Sequence, residues 1–154
     1  AGADHRVTTD APRSSATDRL AAAFVGCTLP ASEWTHEAHL RVGLWHRLRM
    51  PAREALATLR DRIRRYNESL GNQNTDTDGY HETITRFYVI LIDRFVAAAG
   101  VTGDIDELAD DLIARLGFRG LPLDYYSPDR LFSVEARCDW LAPDLAPLPP
   151  GPLA

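Results

Sequence analysis

The sequence predicts an all-α, single-domain bundle of five to six helices with extended termini, and three observations carry that prediction. Apolar residues recur at the helical period over three long stretches: Leu40/Leu44/Leu48, Ala52/Leu56/Leu59/Ile63/Tyr66/Leu70 and Ile84/Phe87/Tyr88/Leu91/Phe95. Cap and stop residues flank them: Thr35 before the first, Pro51 between the first and second, Gly71 after the second and Gly100 after the third. No segment reads convincingly as a strand, with apolar and polar residues alternating. The length of 154 residues suits one domain, and a composition 45% hydrophobic and 25% charged supplies one core.

The elements follow in order. Residues 1–14 read as a polar, flexible arm. A first helix runs from about Ala16 to Gly26, capped by Ser15 or Thr17, with Leu20, Ala23 and Phe24 on one face; Gly26 and Leu29-Pro30 end it. The second spans His36 to Arg49. The third follows Pro51 and runs to Leu70, where Gly71 stops it. The loop from Gly71 to Gly79 is rich in turn residues, and a fourth helix begins near Tyr80, capped by Asp78 or Gly79. Its wide apolar face makes it the central helix. The fifth covers Ile105 to Leu116, with acidic residues in its first turn as the helix dipole prefers. A last helix starts at Ser127-Pro128 and carries Leu131, Phe132, Val134 and Trp140. The helical domain is thus 15–142, and 143–154 form a proline-rich tail extended over the surface.

Charge and composition exclude several classes. A net charge of -5 argues against tight nucleic-acid binding and against an anionic membrane surface. The basic run Arg60 to Arg65 spreads around a helix whose apolar residues face the core, which is a solvated face. The longest apolar run, Phe87 to Ile92, is far too short to span a bilayer, and the first residues lack an apolar signal region. Cys27 and Cys138 make neither a disulfide framework nor a zinc ribbon, so reduced, buried thiols in a cytoplasmic protein are expected. The chain carries no P-loop, GxGxxG, GxSxG or Cys-His protease pattern.

Chemistry concentrates in the histidines. His36 and His39 lie in the first turns of the second helix, and His81 lies in the first turn of the fourth. The positive end of a helix disfavours imidazolium, and neutral imidazole is the form that binds a metal or accepts a proton. Residues three apart share a face, so His36 and His39 converge. His46, seven residues and about 10 Å beyond His39 by the helical rise, falls outside such a shell. Gly43, between them, leaves room for a ligand or for another helix. Two hairpins, second to third and third to fourth, make the second and fourth helices parallel and bring their starts to one end. His36, His39 and His81 would then hold a divalent transition metal (Zn, Fe, Mn, Ni or Cu). Glu37 or Glu82 would serve as base or further ligand, although Arg86, four residues on, offers Glu82 a surface pair. Tyr80 or Tyr126 would act as acid or orienter, and Arg137 would anchor an anionic group. Asn74, Asp76, Asp78 and Gly79 sit at calcium-loop spacing, but Thr85 stands where the bidentate glutamate belongs, which favours a capped turn. Trp34, Trp45 and Trp140 belong to the core or wall a pocket.

The segments Trp34-Thr35-His36-Glu37-Ala38-His39, Gly79-Tyr80-His81-Glu82-Thr83-Ile84-Thr85, and Tyr125-Tyr126-Ser127 through Ala136-Arg137 and Trp140 to Pro143-Asp144-Leu145 together resemble an uncharacterised family of small bacterial all-helical proteins. The resemblance covers roughly residues 30–148 and implies that the three segments form one unit; it implies no particular activity. The expected function is a metal-dependent enzyme acting on a small molecule through the three-histidine site. The alternatives are a non-catalytic metal or small-molecule binding protein, and a helical interaction protein whose histidines are structural.

Overall fold

Side-chain caps set where the helices begin. The structure, a computed structural model, describes residues 14–100, 103–151 and 153; the predicted arm, apart from Ser14, lies outside them. Helix α1 (Ala16–Val25) starts where the Ser15 side chain accepts from the Asp18 amide, and α2 (His36–Arg49) where Thr35 accepts from Ala38. Helix α3 (Ala52–Ser69) follows Pro51, and α4 (Glu82–Ala99) begins after His81. Helix α5 (Ile105–Leu116) is capped by Asp104. Two short helices, α6 (Pro128–Leu131) and α7 (Val134–Cys138), replace the single last helix, because Ser133 caps a new start at Val134, its side chain accepting from the Ala136 amide. There is no strand among the described residues. At the end of α1 the left-handed backbone falls on Cys27, at φ 57°, rather than on Gly26.

Neighbouring helices are tied in a consistent register. The α5 residue Asp106 accepts from the Ala16 and Thr17 amides at 3.0 and 2.9 Å, so one carboxylate also caps α1. Between α3 and α4 the contacts descend, with Arg60 on Glu82 and Arg64 over the Tyr80 ring, as antiparallel helices require. Between α2 and α4 they climb together: His36 meets Tyr88, Gly43 meets Ile92, and Arg47 pairs with Asp93. These helices therefore run the same way, as the hairpin order predicts. A Cβ on Gly43 would stand 2.8 Å from Ile92 Cδ1, so this glycine admits the other helix.

Three apolar groups form the core. Phe24, Val42, Leu56, Leu59 and Tyr66 meet between α1, α2 and α3; Leu40, Leu44, Ile92, Val96 and Leu112 meet between α2, α4 and α5. Phe87, Leu91, Tyr126 and Leu131 join α4 to the C-terminal segment. The proline-rich stretch is stitched down: Tyr126 donates to the Leu141 carbonyl at 2.6 Å, and the Leu145 amide donates to Tyr125. Thr83 accepts from the Leu141 amide and donates to the Asp139 carbonyl. No helix among the described residues is long and apolar enough to cross a membrane. Cys27 is half-buried, but Cys138 is exposed because the short α7 turns it outward, contrary to the expectation of two buried thiols.

Candidate functional site

A pocket of about 470 Å³ opens between α2 and α4. Leu40, Gly43, Ile84 and Ile92 line its apolar part; Trp34, His36, His39, Tyr88 and Arg119 bring the polar atoms. Its size and apolar lining with few polar groups are those of a small-molecule site. Two of those atoms, His36 Nε2 and Tyr88 Oη, are buried without a hydrogen-bond partner among the described residues. A buried polar atom left unpaired costs about 1–3 kcal/mol, so two beside one pocket call for explanation.

Local packing fixes each of these groups. The His36 ring stands edge-on to Tyr88, with centroids 5.7 Å apart. Burial, and then the Arg119 charge, lower the His36 pKa below the ordinary value, while Glu37 opposes them. Burial pushes the Tyr88 hydroxyl up to about 12, so it stays protonated. His39 lies flat against Trp34 at 3.8 Å, and Trp34 stacks in turn on Phe24 at 4.5 Å. His39 Nδ1 bonds to the Thr35 carbonyl at 2.6 Å, which makes Nδ1 the donor and leaves Nε2 a lone pair. Desolvation against its neighbours lowers the His39 pKa even though the residue keeps an exposed edge.

His81 is placed differently. It is the N-cap of α4 rather than a first-turn residue: Nδ1 accepts from the Ile84 amide at 3.1 Å, and Nε2 donates to the Leu131 carbonyl at 2.8 Å. Both nitrogens are therefore in use. Its distance from His36 follows from axial offset: His36 faces Tyr88, seven residues or about 10 Å along α4 from His81. His39 and His81 do border one adjoining cleft, with Asn67 and Tyr80. Among the described residues, no three His, Cys, Asp or Glu side chains are grouped to hold a metal ion.

The other predicted residues are mostly engaged elsewhere. Glu82 is buried and takes both Arg60, through a two-point pair that includes a 3.0 Å bond from Nε, and the Tyr80 hydroxyl at 2.5 Å. Its surface partner was expected to be Arg86, but Arg86 lies over the Trp140 ring at 4.7 Å. Arg60 and Tyr80 lower the Glu82 pKa against the opposing effect of burial. Arg137 donates to the Gly79 carbonyl at 2.7 Å and so anchors the loop. Tyr126 spends its hydroxyl on Leu141, and Glu37 is exposed beside His36. In the calcium-like loop, Asn74 Oδ1 accepts from the Tyr80 amide and from Asn67, and Gly79 has φ +80° with Gln73 O 2.5 Å from where a Cβ would stand. That is a capped turn.

Sequence reasoning missed Tyr88 and Arg119 as site residues. Tyr88 was legible only as part of an apolar stripe; the signal was a phenol among aliphatic and phenyl side chains, whose hydroxyl needs a partner. Arg119 lies in a connection without periodicity, and no local pattern marks it. Comparison with protein-family models, with curated proteins and with solved structures finds no match.

Proposed function

We propose that the chain is a small-molecule-binding protein whose ligand occupies the α2–α4 pocket and completes the hydrogen bonding of His36 and Tyr88. The supporting observation is that the two partnerless buried atoms, one on each helix, border the same largely apolar cavity. Neutral His36 and protonated Tyr88 can each donate to a ligand, and His36 can also accept. A screen of small organic molecules followed by backbone amide NMR tests this reading. Hits should shift amides between Thr35 and Gly43 and between Ile84 and Ile92. Hits that shift only amides remote from both stretches would count against it.

The metal-dependent enzyme is the second reading, in a reduced form. It is supported by His39, whose Nδ1–H bond to a backbone carbonyl is the usual arrangement behind a metal-ligating Nε2. His36 and His39 would supply two ligands to a divalent transition metal, and a small-molecule substrate or water the rest. His81 would join only by leaving Ile84 and Leu131. Elemental analysis of the purified protein separates the readings. Stoichiometric metal lost in His39→Ala but kept in His81→Ala supports the two-histidine form, loss in both restores the three-histidine site, and no metal leaves the binding reading alone. A cytoplasmic location, with free Cys27 and Cys138, and kinship with small bacterial helical proteins belong to the same proposal.

A further inference from the structure

Building on the small-molecule reading of the pocket, we infer that its ligand is an apolar carboxylate, with the anionic head held between Arg119, Tyr88 Oη and His36 Nε2 and the body against Leu40, Ile84 and Ile92.

The charge pattern supports an anion. Several arginines have acidic partners, Arg41 with Asp110, Arg47 with Asp93, Arg60 with Glu82 and Arg115 with Asp111, and others are taken up by rings or carbonyls, Arg62 on His46, Arg86 over Trp140 and Arg137 on the Gly79 carbonyl. Arg119, which lines the pocket, has no carboxylate partner among the described residues, in a chain of net charge -5. Arg119 lines the same cavity as His36 and His39, and its charge bears on both. That charge also disfavours imidazolium and keeps His36 a neutral ring able to present Nε2–H. A guanidinium, a phenol and an imidazole N–H are all donors, and a carboxylate offers about four lone-pair sites to receive them. A cationic head would meet the unpaired Arg119, and a fully apolar ligand would leave the Tyr88 and His36 atoms unsatisfied. The remaining walls are aliphatic and aromatic, so the rest of the molecule is apolar.

The test uses two matched pairs titrated calorimetrically into the full chain: 3-phenylpropionate with its primary amide, and octanoate with octanamide. Each pair differs in charge but little in shape. At least one acid should bind about tenfold tighter than its amide, the worth of one charge-assisted hydrogen bond. Arg119→Gln should weaken the acid about tenfold more than its amide and so remove that preference; because the Arg119 side chain is exposed, the variant should fold as the wild type does. Equal affinity for acid and amide in the wild type overturns the carboxylate assignment while leaving the pocket reading in place. A preference that survives Arg119→Gln overturns it too, because the anion would be held elsewhere. Saturable binding of neither member of either pair overturns both.

Discussion

At the scale of single residues, the histidines divide by how their nitrogens are used. His46, fully buried, satisfies both: Nδ1 donates to the Val42 carbonyl at 2.7 Å, and Nε2 accepts from Arg62 at 2.9 Å. His81 satisfies both on Ile84 and Leu131. His36 keeps a buried Nε2 without a partner among the described residues, and His39 keeps a lone pair at the pocket. The first two are fixtures of the fold, the last two features of a site. Spacing revealed that His36 and His39 converge, because i and i+3 is a property of one helix. It did not reveal the fate of His81, which depends on a carbonyl fifty positions later in the chain. The same long reach hid Glu82. Arg60→Met should remove the partner of a buried carboxylate and destabilise the protein by about 2 kcal/mol, less than for a fully buried pair because Arg60 is itself a third exposed. Urea unfolding at neutral pH checks this. Tyr126→Phe removes a buried bond to Leu141 and should cost about 1 kcal/mol without altering ligand affinity, which separates Tyr126 from the site.

At the scale of elements, the pocket lies between α2 and α4 and is bounded where the two helices meet at Gly43 and Ile92. Gly43 permits the approach, with Ile92 Cδ1 where a Cβ would stand. The obstructing atom is the tip of a flexible side chain. Gly43→Ala should therefore stay within about 1 kcal/mol of wild type, repacking being offset by helix propensity. Gly43→Leu should lose about 1–3 kcal/mol through overpacking. Midpoints of urea unfolding distinguish the two. The four long helices after α1, α2 to α5, were legible from period and from local cap and stop residues, except that α4 is capped by His81 rather than by Asp78 or Gly79. The break between α6 and α7 was not, because it turns on one serine cap, Ser133, inside an apolar pattern. The parallel course of α2 and α4 followed from hairpin order. Their offset of about two turns did not, because connection lengths leave the axial shift open and side-chain packing sets it.

At the scale of the whole molecule, the histidines make the fold acid-sensitive. Burial, with Arg62 and Arg49 adding to it, lowers the His46 pKa from 6.5 to about 4. The neutral ring is the native form, so its stabilisation is complete above pH 6.5 and declines as pH falls toward 4. The decline is on the order of 3 kcal/mol for this residue, whose side chain is inaccessible. His36, His39 and His81 are lowered as well and act in the same sense. Unfolding free energy should fall between pH 7 and pH 5, with a shallower slope in His46→Asn; an unchanged slope in that variant would refute the assignment. His81, Thr83 and the loop carbonyl of Gly79 are bonded to the segment from Leu131 to Leu141, and His39 borders the same cleft as His81. The central claim is narrower, that the pocket's unpaired polar atoms are kept for a ligand. Tyr88→Phe tests it in one paired measurement of unfolding free energy and of affinity for a ligand of the wild-type protein. Removing a hydroxyl that has no partner among the described residues should leave stability equal or higher while weakening the ligand several-fold. Lower stability with undiminished affinity would contradict the account.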